Sequence, residues 1–333
     1  MSSSKVTIKE VAQRANVSIA TVSRYLNKPT SIKKDNRTRV EKAIQELNYH
    51  PLFFARLLAG GKLNTFGLII PGYEGIFYSF YAQEIVRGVA SALEREAIDL
   101  HLHIFGKRDS FNSSLVEGVI FADVIGNEAQ LRRLLKEEVP VVVMNKKVDD
   151  PGVSFVAIDN FKGAYDATEF LITHGHTAIV HLGGDPRVQC AQERVEGYKA
   201  ALAKHAVPVN EDYLCMTHFS CREARDHLEV LFAGDKRPTA IFCCSDEVAK
   251  EVIAFAEEKG IAVPDDLSVI GFDDNPLLAY GNVLLTTVRQ PFQQMASSAV
   301  KLLKESARKN AAPQQMVLDP ELVIRDTVGF ISS

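Results

Sequence analysis

Between Phe66 and Phe272 the chain alternates short apolar runs with segments of helical periodicity. The apolar runs are Phe66–Ile70, Leu100–Phe105, Gly118–Phe121, Val141–Met144, Phe155–Ile158, Ile179–Leu182, Ala240–Cys244 and Leu267–Phe272. Helical patterns fall between most of them, for example over Ala82–Arg95, Gly163–His174, Arg194–His205, Arg222–Phe232 and Glu247–Lys259. That rhythm dictates parallel, doubly wound sheets covered by helices on both faces. About 270 residues of it exceed one ordinary sheet, so two such subdomains are expected. One connection is short: only Gly106 to Glu117 separate the second run from the third, close to the minimum for a parallel crossover.

The first 51 residues follow a different pattern, that of three short helices. Thr7 caps a segment whose Ile8, Val11 and Ala12 share one face, and Ala15-Asn16-Val17 makes a tight turn. Ser18 opens a second helix, Ile19 to Asn27, that Lys28-Pro29 stops, and a third runs over about Asp35 to Leu47. A further short segment, Leu52 to Leu58, leads into the flexible joint Ala59-Gly-Gly-Lys62.

Charge divides along the same line. Residues 1–62 carry twelve basic side chains against four acidic ones, a net of +8, which leaves −12 for the rest of a chain whose total is −4. A basic module on an acidic body is the electrostatic footprint of a nucleic-acid binder. No apolar run follows Met1, so neither a signal peptide nor a membrane span is expected, and the expected compartment is the cytoplasm. The five cysteines are odd in number and form no CxxC pair, so they read as reduced thiols. Cys215 and Cys221 lack a matching second pair, and His101 and His103 lack a third ligand; no metal and no cofactor are expected.

The segment Val6-Thr-Ile-Lys-Glu-Val-Ala-Gln-Arg-Ala-Asn-Val-Ser-Ile-Ala-Thr-Val-Ser-Arg-Tyr-Leu-Asn resembles the headpiece of the lactose/galactose repressor (LacI/GalR) family. The resemblance continues through Glu46-Leu-Asn-Tyr-His-Pro, Gly183-Gly184, Glu193-Arg-Val-Glu-Gly-Tyr, Ser245-Asp246, Val263-Pro-Asp-Asp-Leu-Ser-Val-Ile-Gly-Phe-Asp-Asp and Thr286-Thr-Val-Arg-Gln-Pro. It covers essentially the whole chain in the family's order. It implies an all-α helix-turn-helix headpiece (1–51), a hinge helix and linker (52–62), and an α/β core of two doubly wound subdomains similar to periplasmic sugar-binding proteins (63–333). The N-subdomain would take about 63–159 and 288–318, the C-subdomain about 160–287 and 319–333, with crossings near Asp159, Thr287 and Leu318.

By the same resemblance, Ile19, Ala20 and Arg24 face DNA bases, and Arg24 suits the bidentate contact to guanine. Ser18, Thr21, Ser23 and Asn27 suit phosphates. Ala55 and Leu58 fall in the hinge helix, Leu58 as a wedge in the minor groove. The partners implied are a palindromic operator, a second copy of the chain, and a small-molecule effector, a sugar or nucleoside.

The effector would bind between the subdomains at the C-terminal ends of their strands. Arg194 and Asp273 match the family's main polar contacts and Phe219 an aromatic wall. Phe80-Tyr81 approximates a second aromatic position, and Asn145, Ser245 and Gln290 are further contacts. Asp273 as a turn cap, Phe219 as a core residue and Asn145 as a surface residue stay open as alternatives. Cys190 and Val188 stand where relatives of charged ligands carry polar groups, which favours a neutral ligand. An enzyme is disfavoured, because the chain has no GxGxxG after the first strand, no P-loop and no nucleophile turn. A corepressor-dependent repressor or an activator remains open beside a repressor released by its ligand.

Overall fold

The computed structural model describes residues 6–27, 29–49, 63–72, 76, 79–106, 110–234, 237–276, 283–306 and 312–331. The N-terminal unit holds three helices, α1 (Ile8–Ala15), α2 (Ile19–Asn27) and α3 (Lys34–Glu46). Oε2 of Glu10 accepts from the Thr7 amide at 2.6 Å and the Thr7 hydroxyl at 2.9 Å, closing the first turn of α1. Asn16 ends that helix at a φ of 50°, a left-handed turn asparagine tolerates better than most residues. Oγ of Ser18 then accepts from the Thr21 amide at 3.1 Å and starts α2. Val11, Ala12, Ala15, Val22, Val40 and Ala43 form the small core.

Among the described residues after Lys62, twelve strands build two six-stranded sheets. The first runs β11 (Gln315–Leu318), β5 (Ser154–Ile158), β4 (Val141–Met144), β3 (Gly118–Phe121), β1 (Thr65–Pro71), β2 (Asp99–Phe105), parallel throughout. The second runs β12 (Glu321–Val323), β10 (Thr286–Arg289), β9 (Ser268–Asp273), β8 (Ala240–Cys243), β6 (Ile179–Gly183), β7 (Leu214–Met216), with only β12 antiparallel. Helices cover both faces of each, so central strands such as β3, β4 and β9 are buried along their whole length. On the first sheet, α4 (Phe80–Arg95) and α10 (Phe292–Ser306) lie on one side and α5 (Glu128–Lys136) on the other. On the second, α6 (Asn160–Thr173) and α7 (Gln189–Lys204) face α8 (Cys221–Ala233) and α9 (Asp246–Lys259).

The chain passes between sheets after β5, after β10 and after β11. The middle passage differs from expectation. Val288 and Arg289 still pair with Phe272 and Asp273 in the second sheet, so the chain leaves at Gln290-Pro291 rather than near Thr287. Among its described residues, the short β2–β3 connection holds only a turn of 3-10 helix, Ser113–Leu115. Phe111 does the covering instead: it is buried, and a Cβ on Gly67 of β1 would stand 2.9 Å from its Cζ. His101 and His103 meet that ring edge-on at 5.7 and 5.4 Å, as strand residues packed on an aromatic. Among the described residues no group of three metal-ligating side chains occurs, and no helix is long and apolar enough to cross a membrane.

Candidate functional sites

The first site is the outer face of α2. Ser18, Ile19, Ala20 and Arg24 are exposed there, with Thr21 and Ser23 half-buried beside them. Ala20 and Arg24 lie one turn apart on the same side of the helix. Arg24 enters no ion pair among the described residues. Ile19, 44% exposed, is an apolar group held in solvent on a basic surface. Asn27 ends the helix, and its side chain lies outside the described residues, as do the hinge positions Ala55 and Leu58.

The second site is a cleft of about 700 Å³ at the C-terminal ends of both sheets, the place where strand ends and helix N-termini leave open backbone and a crevice. Its lining brings together Arg194, Asp273, Phe219, Tyr81, Asn145, Ser245, Gln290 and Cys190. Phe80 is a correction: one residue before Tyr81, it is turned about 100° around α4 and lies in the core, edge-on to Phe292 at 5.8 Å. The Tyr81 hydroxyl instead reaches across to the Ala122 carbonyl.

Arg194 projects from α7 and is 3% exposed. Its guanidinium donates to Oδ1 of Asn160 and to the Cys244 carbonyl, and lies 3.6 Å over the Phe272 ring. Asp273 ends β9 at a φ of 131°, a strained backbone for any residue but glycine. Its neighbour Asp274 is fixed by ion pairs to Arg289 at 2.7 Å and Arg325 at 2.5 Å, which holds the Asp273 carboxyl toward the cleft. Gln290 donates to that carboxyl. Burial pushes Asp273 well above the usual carboxylate range, and the Glu247 and Asp246 carboxylates add to the push.

Phe219 sits in a loop where both it and His218 adopt positive φ, 59° and 49°. A Cβ on Gly184 would stand 2.3 Å from its Cζ, so the ring lies directly on glycine backbone and keeps one face open. Ser245 caps α9, accepting from the Val248 amide at 3.3 Å. Burial raises the Cys190 thiol to about 11 and the Cys244 thiol to about 12, so neither is a nucleophile at neutral pH.

Several groups had no place in the sequence reading. Asp123, just past β3, is buried in the cleft wall and its carboxyl is raised to about 6, chiefly by burial. It accepts from the Val124 amide at 2.6 Å and from Nδ2 of Asn145 at 3.1 Å. Asp185, Arg187, Glu247, Cys221 and Cys244 also line the cleft, and Asn160 supports Arg194 from beneath. A carboxyl two residues past an apolar run was the available signal for Asp123. Among the described residues, two clasps tie the halves: Lys147 pairs with Glu193 at 3.0 Å and exchanges backbone hydrogen bonds with the Gln189 amide side chain, and the Phe80 amide donates to Glu247 at 3.3 Å.

The chain matches the family model described as bacterial regulatory proteins, lacI family, over residues 7–52, and a periplasmic binding protein-like domain over 168–328. It is 33% identical over 333 residues to the HTH-type transcriptional repressor PurR of Vibrio parahaemolyticus, covering 97% of this chain and 98% of that protein. It is also 33% identical to catabolite control protein A of Priestia megaterium, covering 96% and 97%. The lac repressor dimer bound to operator and the anti-inducer ONPF shares the fold, with a TM-score of 0.84 at 22% identity over 98% of this chain and 100% of that one. A basic helix-turn-helix unit, two doubly wound sheets with a cleft between them, and relatives alike from end to end lead to one conclusion: the chain belongs to the lacI family of bacterial regulatory proteins, DNA-binding regulators of transcription.

Proposed function

We propose that this protein is a transcriptional repressor that reads a palindromic operator as a homodimer and changes operator affinity when a small molecule occupies the cleft. The observation that carries this reading is the cleft's construction from both halves. Asn145 and Asp123 belong to the first sheet, Arg194, Phe219 and Asp273 to the second, and Gln290 to the passage between them. A ligand touching all of them favours one relative setting of the halves, and differential contact is what lets a ligand shift an equilibrium. Acceptors with an open aromatic face suit a sugar or a nucleoside.

On the DNA side, Ile19, Ala20 and Arg24 would meet bases and Ser18, Thr21, Ser23 and Asn27 phosphates. Ala55 and Leu58 are proposed for the minor groove on the sequence alone. The test is operator binding measured with and without each ligand found in a thermal-shift screen. A shift in operator affinity supports the reading, and its direction distinguishes induction from corepression. A cleft ligand that leaves operator affinity unchanged overturns it. Sedimentation of the protein with operator checks the dimer, and a monomer on a half-site would contradict it.

A further inference from the structure

Two carboxamide–carboxylate pairs face the cleft from opposite sheets. In the first, Nδ2 of Asn145 donates to Asp123, which leaves Oδ1 of Asn145 buried with no hydrogen-bond partner. In the second, Nε2 of Gln290 donates to Asp273, and Oε1 of Gln290 is likewise buried and without a partner. Each pair therefore presents a buried amide oxygen as an open acceptor, with one N–H of its carboxamide committed to the carboxylate. Both pairs and the Cys190 thiol line the same cleft; burial raises that thiol, the Arg194 guanidinium lowers it, and the Asp123 and Asp273 carboxylates both push it up.

Charge sharpens the point. Among the described residues, four carboxyls line the cleft, Asp123, Asp185, Glu247 and Asp273, against the guanidiniums of Arg187 and Arg194. Arg187 is spent on Asp185 at the exposed rim. Arg194 is turned to Asn160, the Cys244 carbonyl and the Phe272 ring. Among the described residues, Asp123, Asp273 and Glu247 have no ion pair. Burial raises the Asp123 and Asp273 carboxyls and outweighs the Lys146 ammonium and the Arg194 guanidinium, which lower them, respectively, without pairing with them. A cation brought into contact therefore gains what a hydroxyl cannot supply.

Resting on the effector-cleft reading above, we propose that the effector carries a protonated amine, as an amino-substituted sugar does, seated between Asp123 and Asp273 with its N–H donors on the open oxygens of Asn145 and Gln290. This goes past the neutral ligand that Cys190 and Val188 suggest: the cleft rejects anions and asks for a cation. Asp123 and Asp273 bind their protons more tightly than ordinary carboxyls, held so by burial and, for Asp273, by Glu247 and Asp246. An arriving ammonium lowers both, so its binding releases protons and tightens as pH rises through about 6.

The test is a panel of matched sugars, glucosamine, galactosamine and mannosamine beside their neutral parents and uronates, read by calorimetry on the wild-type protein in two buffers of different ionisation enthalpy. The expected result is one amino sugar binding about tenfold or more tighter than its neutral parent, with net proton release. The preference should vanish in Asp123→Asn, whose fold is checked by circular dichroism. A neutral or acidic sugar binding as tightly as its amino counterpart, no binding by any amino sugar, or a preference undiminished in Asp123→Asn overturns the proposal. Operator affinity measured in parallel separates this from the broader reading. A neutral sugar that shifts operator affinity defeats only the amine assignment, while an amino sugar that binds without such a shift defeats only the effector role.

Discussion

Arg194 holds Oδ1 of Asn160 with two donors at once, Nε at 3.0 Å and Nη2 at 2.9 Å. Asn160 is the first residue of α6, immediately after the chain first passes between the sheets. The side chain proposed to touch the effector is therefore also bolted to the passage about which the halves would move. Arg194 is 3% exposed, so any change there disturbs structure as well as binding.

Arg194→Lys keeps the charge but loses the two-pronged grip. Asn160 and the Cys244 carbonyl would be left short of donors, at a cost of about 1.5–3 kcal/mol. Denaturant unfolding should show that loss, and calorimetry should show ligand binding weakened beyond detection. Wild-type stability in this variant would contradict the bolt.

Arg24→Ala concerns the exposed face of α2. It should leave stability and ligand binding untouched while cutting discrimination between operator and scrambled DNA by about 1–3 kcal/mol per half-site. Competition binding at fixed salt reads this directly. Equal loss on both DNAs would place Arg24 on phosphate instead of on a base edge.

Phe219 lies on Gly184 with 38% of its surface exposed. Gly184→Ala must displace the ring, since the new methyl would stand 2.3 Å from Cζ. Both Gly184→Ala and Phe219→Ala should weaken the ligand by about 1 kcal/mol, the worth of an aromatic stacking face. Phe219→Ala should hardly change the melting temperature. Full affinity in both variants would remove Phe219 from the ligand site.

Asp123 gives a pH signature. Its carboxyl sits near 6 in the folded chain and near 3.8 in the unfolded one. The folded state therefore holds the extra proton between those values, and the fold loses stability as pH rises through that window. Asp123→Asn has no proton to lose. Its melting temperature relative to wild type should climb from pH 4 to pH 6 and level off above. A difference that falls over the same interval would mean the carboxylate is stabilised, not penalised, by its surroundings.

Much of this was legible in the sequence because buried parallel strands announce themselves as unbroken apolar runs, as β3, β4 and β9 do. Strands β11 and β12 did not, since they are short and largely exposed at sheet edges. In the cleft, Arg194, Asp273 and Phe219 could be placed by likeness to a family. Phe80 was misplaced because one step along a helix turns a side chain from cleft to core. Asp123 was passed over for another reason: its place past an apolar run marks a candidate, but which carboxyl at a strand end turns inward depends on Asn145, 22 residues further along the chain. The covering role of Phe111 likewise depends on Gly67, in a strand the sequence separates from it.

The account stands most directly on the coupling between cleft and operator. Fluorescence anisotropy of a labelled palindromic operator should be followed while a cleft ligand, verified by calorimetry, is titrated against wild type and Asp273→Asn. The account predicts that saturating ligand changes operator affinity of the wild type by about tenfold, a coupling of about 1–3 kcal/mol, and leaves Asp273→Asn unmoved. Ligand bound at saturation in the wild-type cleft, with the operator curve unchanged, would contradict it.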